Sequence, residues 1–184
     1  MALILASSSP RRQELLAKIT TDFKVVPADI DETVSGKLSP EEYVLSMAQQ
    51  KAQVVYKEFP ADVVIGCDTI VACEGRILGK PRDRDDAREM LTFLSGKTHL
   101  VYTSVQIIGQ GKIVQGTFPA EVAFFDLSVA EIDAYLATGE HSDKAGSYGI
   151  QGQGALLVKF IKGDYYSIVG FPVAHIAKML ANFA

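Results

Sequence analysis

The run Val63-Val64-Ile65-Gly66-Cys67-Asp68-Thr69-Ile70-Val71-Ala72-Cys73 constrains this chain more than any other stretch. It is apolar on both alternating faces, the pattern of a strand covered from both sides. Such a strand belongs in the middle of a sheet, with helices packed over its faces. Asp68 is the one carboxylate in the run. A carboxylate among buried β residues is costly unless it is paired or bound to a metal. Asp68 therefore reads as a metal ligand or as a general base in a cleft. The blander reading is a carboxylate satisfied at a strand end by backbone N–H groups. Gly66, on the same strand face, is expected to leave space beside it.

Cations come from the amino-terminal turn. Leu3-Ile4-Leu5 reads as a short strand, and Ala6-Ser7-Ser8-Ser9-Pro10-Arg11-Arg12 as a tight turn into a helix carrying Leu15, Leu16 and Ile19. Ser9 suits the N-cap and Pro10 the first helical position. Arg11 and Arg12 then fall in the first turn, where an exposed cation opposes the helix dipole at about 0.3–1 kcal/mol. An anion held by the N–H groups, the Ser hydroxyls and the guanidinium groups reverses that sign. The turn reads as a phosphate-binding element, or as a plain surface turn with two arginines in water.

The remaining pattern is that of an α/β protein. Residues 22–27 read as a short strand, and Asp29-Ile30-Asp31-Glu32-Thr33 as an acidic loop. Ser39-Pro40-Glu41-Glu42 starts a helix that runs to about Tyr56 and carries Tyr43, Val44, Met47, Ala48 and Lys51. A charged segment, Arg82 to Arg88, leads into a helix through Met90, Leu91 and Leu94. His99 to Ile108 and Lys112 to Phe125 read as paired strands joined by Gly109-Gln110-Gly111. Ser128 and Glu131 form a capping box. Gly139 to Gly154 is a Gly-rich loop region. Residues 155–161 and 165–169 read as another hairpin, and a closing helix follows Gly170-Phe171-Pro172. Hairpins interrupt the βαβ pattern, so the sheet is expected to be mixed.

Composition narrows the function. The net charge is −4, which argues against a broad basic surface for nucleic acid. No apolar run approaches membrane-spanning length and no leader pattern precedes the first strand, so the expectation is a cytoplasmic protein with no membrane partner. If residues 63–73 form one strand, Cys67 and Cys73 lie about 20 Å apart, too far for a disulfide, and read as buried thiols. His99, His141 and His175 are scattered and give no zinc-ligand spacing. Asp29, Asp31 and Glu32 supply further oxygen ligands suited to Mg²⁺ or Mn²⁺. Lys51 and Lys80 are candidate phosphate cations, Lys80 being fixed between Gly79 and Pro81. The run Gly146 to Gly154 admits close ligand approach, and its Gln151, both donor and acceptor, can read a base edge. Gly96-Lys97-Thr98 resembles the end of a P-loop, but Leu91 stands where that loop needs glycine.

In order along the chain, Ala6-Ser7 through Arg12, Asp31-Glu32, Lys51-Ala52, Asp68-Thr69-Ile70-Val71, Gly79-Lys80-Pro81, Leu94-Ser95-Gly96, Asp143 through Gly154 and Gly170-Phe171-Pro172 form a set. That set resembles the Maf (septum-formation) family of nucleoside triphosphate pyrophosphatases over essentially the whole chain, residues 1–184, as a single domain. The resemblance implies a two-lobed α/β fold on a long curved mixed sheet with flanking helices and a central cleft, similar to the inosine triphosphate pyrophosphatase fold. It implies hydrolysis of a nucleoside triphosphate to the monophosphate and pyrophosphate with a divalent cation, Mg²⁺ or Mn²⁺. By resemblance Asp68 is the proton acceptor, and Arg11, Thr69 and Gln151 set base preference. With Thr69 and Gln151 present, the chain is similar to the branch acting on dTTP and UTP rather than 7-methyl-GTP. The mechanism expected from this puts Glu32 and Asp68 on the metal, and Ser7, Ser9, Arg12, Lys51 and Lys80 on the phosphates. A homodimer is a further expectation. Ser8 and Cys67 depart mildly from the family pattern. The rival expectation is a nucleotide-sensing regulator of cell division without turnover.

Overall fold

The structure is a computed structural model that describes residues 1–32 and 38–183. Thr33, the last residue of the expected acidic loop, lies outside the described residues. The central strand is where the sequence puts it: β3 spans Val63–Cys73. Around it lie β1 (Leu3–Leu5), β2 (Lys24–Val25), β4 (Arg76–Leu78), β5 (Thr98–Gly109), β6 (Lys112–Phe124) and β7 (Val158–Gly163). Among the described residues they form one seven-stranded sheet in the order β2-β1-β3-β5-β6-β7, with β4 paired to β3. β1 is parallel to both β2 and β3, whereas β4 and β7 pair antiparallel. The sheet is mixed, as expected.

Helices α1 (Pro10–Leu16), α2 (Pro40–Glu58), α3 (Arg84–Leu94), α4 (Val129–Ala137), α5 (Tyr165–Val169) and α6 (Val173–Leu180) complete the fold. Two of them start with full capping boxes. Ser39 accepts from the Glu42 backbone N–H at 3.2 Å while the Glu42 carboxylate accepts from Ser39 N–H at 2.8 Å. Ser128 and Glu131 repeat the arrangement in α4. Each N-cap contributes about 1 kcal/mol. The β5–β6 turn has positive φ at both central residues, Gln110 (50°) and Gly111 (70°), which suits the twist of a tight hairpin.

The structure corrects four expectations. Residues 165–169 are helix rather than strand, because Asp164 accepts from Tyr166 N–H at 2.9 Å and from the Ser167 hydroxyl at 3.3 Å, and so starts a helical turn. Residues 153–157 are likewise a 3₁₀ turn. The strand expected over 22–27 shrinks to Lys24–Val25. Finally, Gly66 leaves no space beside Asp68: a Cβ there would overlap the Ala48 carbonyl and lie 2.7 Å from the Ala52 Cβ, so helix α2 already fills the gap.

The chain divides into two units. The first comprises Met1–Asp68, Thr103–Phe118 and Gly170–Ala184, and the second Thr69–Tyr102 and Pro119–Val169. In the first, Ile4, Ala6, Val55 and Val64 form a buried cluster. In the second, Val71, Leu91, Leu94, Val122, Phe124, Ile132 and Tyr148 do the same. Each fully buried large apolar side chain contributes about 1.5–3 kcal/mol. Among the described residues no helix is long and apolar enough to cross a membrane.

Candidate active site

The first unit brings three of the expected residues together, Lys51, Asp68 and Glu32, and helix packing is the cause. Tyr43, Val44, Met47, Ala48, Lys51, Ala52 and Val55 are buried along one face of α2, the 3.6-residue stripe of a helix laid on a sheet. The missing side chain at Gly66 lets that face close onto β3. Lys51, between the small residues Ala48 and Ala52, is carried to the strand beside Asp68. Its ammonium lies 2.6 Å from Asp68 Oδ1 and 2.7 Å from Glu32 Oε1. Lys51 and Asp68 side chains are 11% and 13% exposed, whereas Glu32 is half exposed. Burial alone would push the Lys51 pKa down; the charge of Asp68 and the hydrogen bonds that the ammonium donates to both carboxylates outweigh it and hold the pKa above its ordinary value. The arrangement is a buried cation gripped by two hard oxygen donors.

Tyr43 is a site residue that sequence reasoning placed only in the core. It lies two helical turns before Lys51 on the same face, and its hydroxyl donates to the Glu32 carbonyl at 2.8 Å. Burial first, then the charges of Asp68, Glu32 and Asp31, raise its pKa, so the phenol keeps its proton. The tyrosine fixes the backbone of the acidic loop next to Lys51. The spacing of eight residues between a polar-tipped aromatic and a buried lysine was the available signal.

The strand–turn–helix read from residue 3 to Ile19 is present, except that the helix ends at Leu16 and Ile19 lies in the turn after it, and Arg12 organises it. Arg12 Nε donates to the Gly170 carbonyl at 3.0 Å, and Nη1 to the Cys67 carbonyl at 2.8 Å and to Ser7 Oγ at 3.3 Å. These bonds tie the turn to the strand position preceding Asp68. Ser7 is buried and also accepts from Ser9 N–H at 3.2 Å. Ser9 stands at the N-cap of α1, but its hydroxyl makes no cap bond. Helix α1 has only seven residues, so the positive charge here rests on Arg11 and Arg12 rather than on a strong dipole. Gly170 was not singled out from the sequence except within a motif; its carbonyl accepts from Arg12 and from the Cys67 thiol, the latter at 3.4 Å. Cys67 and Cys73 are both free and buried, as expected.

Thr69, Lys80 and Gln151 belong to the second unit. Thr69 is half-buried and follows Asp68 directly along β3, while Lys80 and Gln151 are exposed. The segment around Gln151 is far from a loose loop. Gly146 N–H donates to the Gly79 carbonyl at 3.0 Å, linking the Gly-rich run to the residue before Lys80. Gly149 N–H donates to the Tyr135 hydroxyl at 3.1 Å, and Gln153 N–H to Glu140 Oε2 at 2.9 Å. The glycines are needed for contact: a Cβ on Gly154 would overlap the Gly149 carbonyl. Tyr148 and its partner His99, which sequence reasoning weighed only as a metal ligand, anchor this segment at 2.8 Å.

Glu32 and Asp68 are hard oxygen donors of the kind a divalent cation takes, and the point on which they converge holds the Lys51 ammonium. No group of three or more potential metal-ligating side chains occurs among the described residues. Two carboxylates converging on one point are what Mg²⁺ commonly takes from a protein, with phosphate oxygens and water completing the shell.

Comparison with known proteins agrees with this picture. The family model described as Maf-like protein matches residues 2–183. The dTTP/UTP pyrophosphatase of Bacillus cereus (strain B4264) is 50% identical over 181 residues, spanning 98% of this chain and 95% of that protein. The dTTP/UTP pyrophosphatase of Latilactobacillus sakei subsp. sakei (strain 23K) is 47% identical over 179 residues, spanning 97% of this chain and 99% of that one. Among solved structures, a HAM1 protein from Coxiella burnetii aligns with a TM-score of 0.52 over 98% of both chains. At 15% identity that likeness concerns the fold alone, and it bears out the mixed α/β fold expected from the sequence. This chain belongs to the Maf family.

Proposed function

We propose that this protein hydrolyses dTTP and UTP to the nucleoside monophosphate and pyrophosphate. The relatives named for that activity match over nearly the full chain. The observation that carries the chemistry is the Lys51 ammonium held at 2.6 Å from Asp68 and 2.7 Å from Glu32. Asp68 accepts the proton of the attacking water, the role for which a positioned carboxylate contributes roughly 10²–10⁴-fold. Attack at the α-phosphorus breaks the α–β anhydride bond, and the electron pair leaves with the β-phosphate oxygen as pyrophosphate. Lys51 supplies a fixed positive charge against the charge that develops on the phosphates. Arg12, with two of its nitrogens on carbonyls, keeps Ser7 and the β1–α1 turn in register with Asp68 and adds its own charge.

Glu32 and Asp68 would hold a Mg²⁺ or Mn²⁺ ion, which when bound supplies Lewis-acid stabilisation of the phosphate charge. Arg11, Thr69 and Gln151 are assigned to the base on family resemblance, and Ser9 and Lys80 to phosphate by their hydroxyl and ammonium chemistry. A base-edge contact by Gln151 discriminates because a wrong base leaves polar groups unpaired.

The test is product analysis. Incubated with dTTP or UTP and Mn²⁺, the protein yields the monophosphate and pyrophosphate, and Asp68→Asn lowers turnover about 10³-fold while nucleotide binding persists. Release of single phosphates, or near-full turnover by Asp68→Asn, overturns the assignment.

A further inference from the structure

Gln151 sits on a turn whose shape is set from below. Ser147 is fully buried with φ of +64°, and Gly146 before it has φ of +67°. A non-glycine residue in the left-handed region costs about 1 kcal/mol or more and persists only where its surroundings impose it. Ser147 N–H donates to the Lys144 carbonyl at 3.0 Å and its hydroxyl to Met90 Sδ at 3.1 Å, and the run is anchored at the next residue, Tyr148. Its ring is buried, edge-on to Phe124 at 4.8 Å and to His99 at 5.4 Å, and its hydroxyl meets His99 Nε2 at 2.8 Å. His99 is 2% exposed, and among the described residues its Nδ1 has no hydrogen-bond partner. A Phe at position 99 would fill the same space with no ring nitrogen to orphan, but it would strip the buried Tyr148 hydroxyl of its bond. What the imidazole adds is the bond to Tyr148.

From Tyr148 the chain enters the turn directly. Gly149 is fastened to the Tyr135 hydroxyl and Gln153 to Glu140. Gln151 is the exposed residue midway between those two fastenings. Resting on the pyrophosphatase reading above, we propose that His99 and Tyr148 are positioning residues for Gln151, so that their buried hydrogen bond governs base discrimination rather than turnover. A readout by hydrogen bonds tolerates displacements of only about 0.5 Å, which is why a bond with no contact to substrate can set selectivity. Burial pushes the His99 pKa down to about 4, so the imidazole is neutral at pH 7.

The test compares steady-state kinetics on dTTP and GTP for the wild type, Tyr148→Phe, His99→Gln and the double variant His99→Leu/Tyr148→Phe, with thermal melts of each. Tyr148→Phe is expected to keep kcat on dTTP within about twofold, raise KM about tenfold and lower the dTTP-over-GTP ratio of kcat/KM about tenfold. His99→Gln, which can still bond Tyr148, recovers part of the ratio. The double variant removes both polar partners, regains melting temperature and still lacks discrimination. Should Tyr148→Phe fail to fold, the double variant carries the comparison. A folded variant with an unchanged ratio overturns the inference, even if kcat falls on both nucleotides alike. So does a wild type that hydrolyses dTTP and GTP equally, which leaves the hydrolase reading standing. A wild type inactive on dTTP removes that reading and this inference together.

Discussion

Lys51 meets Asp68 across 2.6 Å as an ion pair, whereas Tyr148 meets His99 across 2.8 Å as a neutral pair. Both contacts are buried, and each lies in a different unit of the chain. The ion pair satisfies two charges that would otherwise be costly to bury, and it does so with groups that also do chemistry on phosphate. The neutral pair carries no charge to the substrate; it fixes a turn. The contrast teaches that one unit holds reactive groups by attraction between them, while the other presents a recognition residue by holding its backbone still. Loss of a partner should then damage rate in the first case and selectivity in the second.

Replacing Lys51 with Met is expected to show the largest effect: kcat on dTTP falls roughly 10²–10³-fold, the usual loss when a charge-stabilising group is removed, and steady-state assays check it. Gly66→Ala forces β3 and α2 apart by overlapping the Ala48 carbonyl. It should cost about 3 kcal/mol, or roughly 10 °C in Tm, and should lower kcat by moving Lys51 off Asp68. On the neutral side, His99 adds a pH dependence of stability. Its pKa is about 4 in the folded protein against 6.5 unfolded, so between those values the unfolded chain binds more protons. Stability should fall as pH drops from 6.5 to 4, by about 3 kcal/mol, and this contribution should be flat above and below that window. Urea unfolding of the wild type against His99→Gln isolates it. The smallest effect separates two helix starts: Ser39→Ala should cost about 1 kcal/mol, and Ser9→Ala less than about 0.5 kcal/mol because Ser9 makes no cap bond. Equal losses in thermal melts would break that distinction.

The charged region was legible in the sequence because its signals are local. An aspartate inside an apolar run and a Ser-Pro helix start each announce themselves within a few residues. The pairing of Lys51 with Asp68 was harder to foresee. It depends on Gly66, which was read as open space and proves to be the seat of a helix. The neutral region was nearly silent. His99 and Tyr148 are 49 residues apart and each resembles an ordinary core residue. Residues 165–169, rich in β-favouring side chains, became a helix because Asp164 starts a turn, a local bond that outweighs propensity. Ladders and caps can be read along a chain, whereas contacts between distant neutral groups need the fold.

Hydrolysis of dTTP in H₂¹⁸O, with the products analysed by mass spectrometry, tests most directly whether the Asp68 water attacks the α-phosphorus. We predict ¹⁸O in dTMP and none in pyrophosphate. Label in pyrophosphate instead would place the attack on the β-phosphorus and contradict the account.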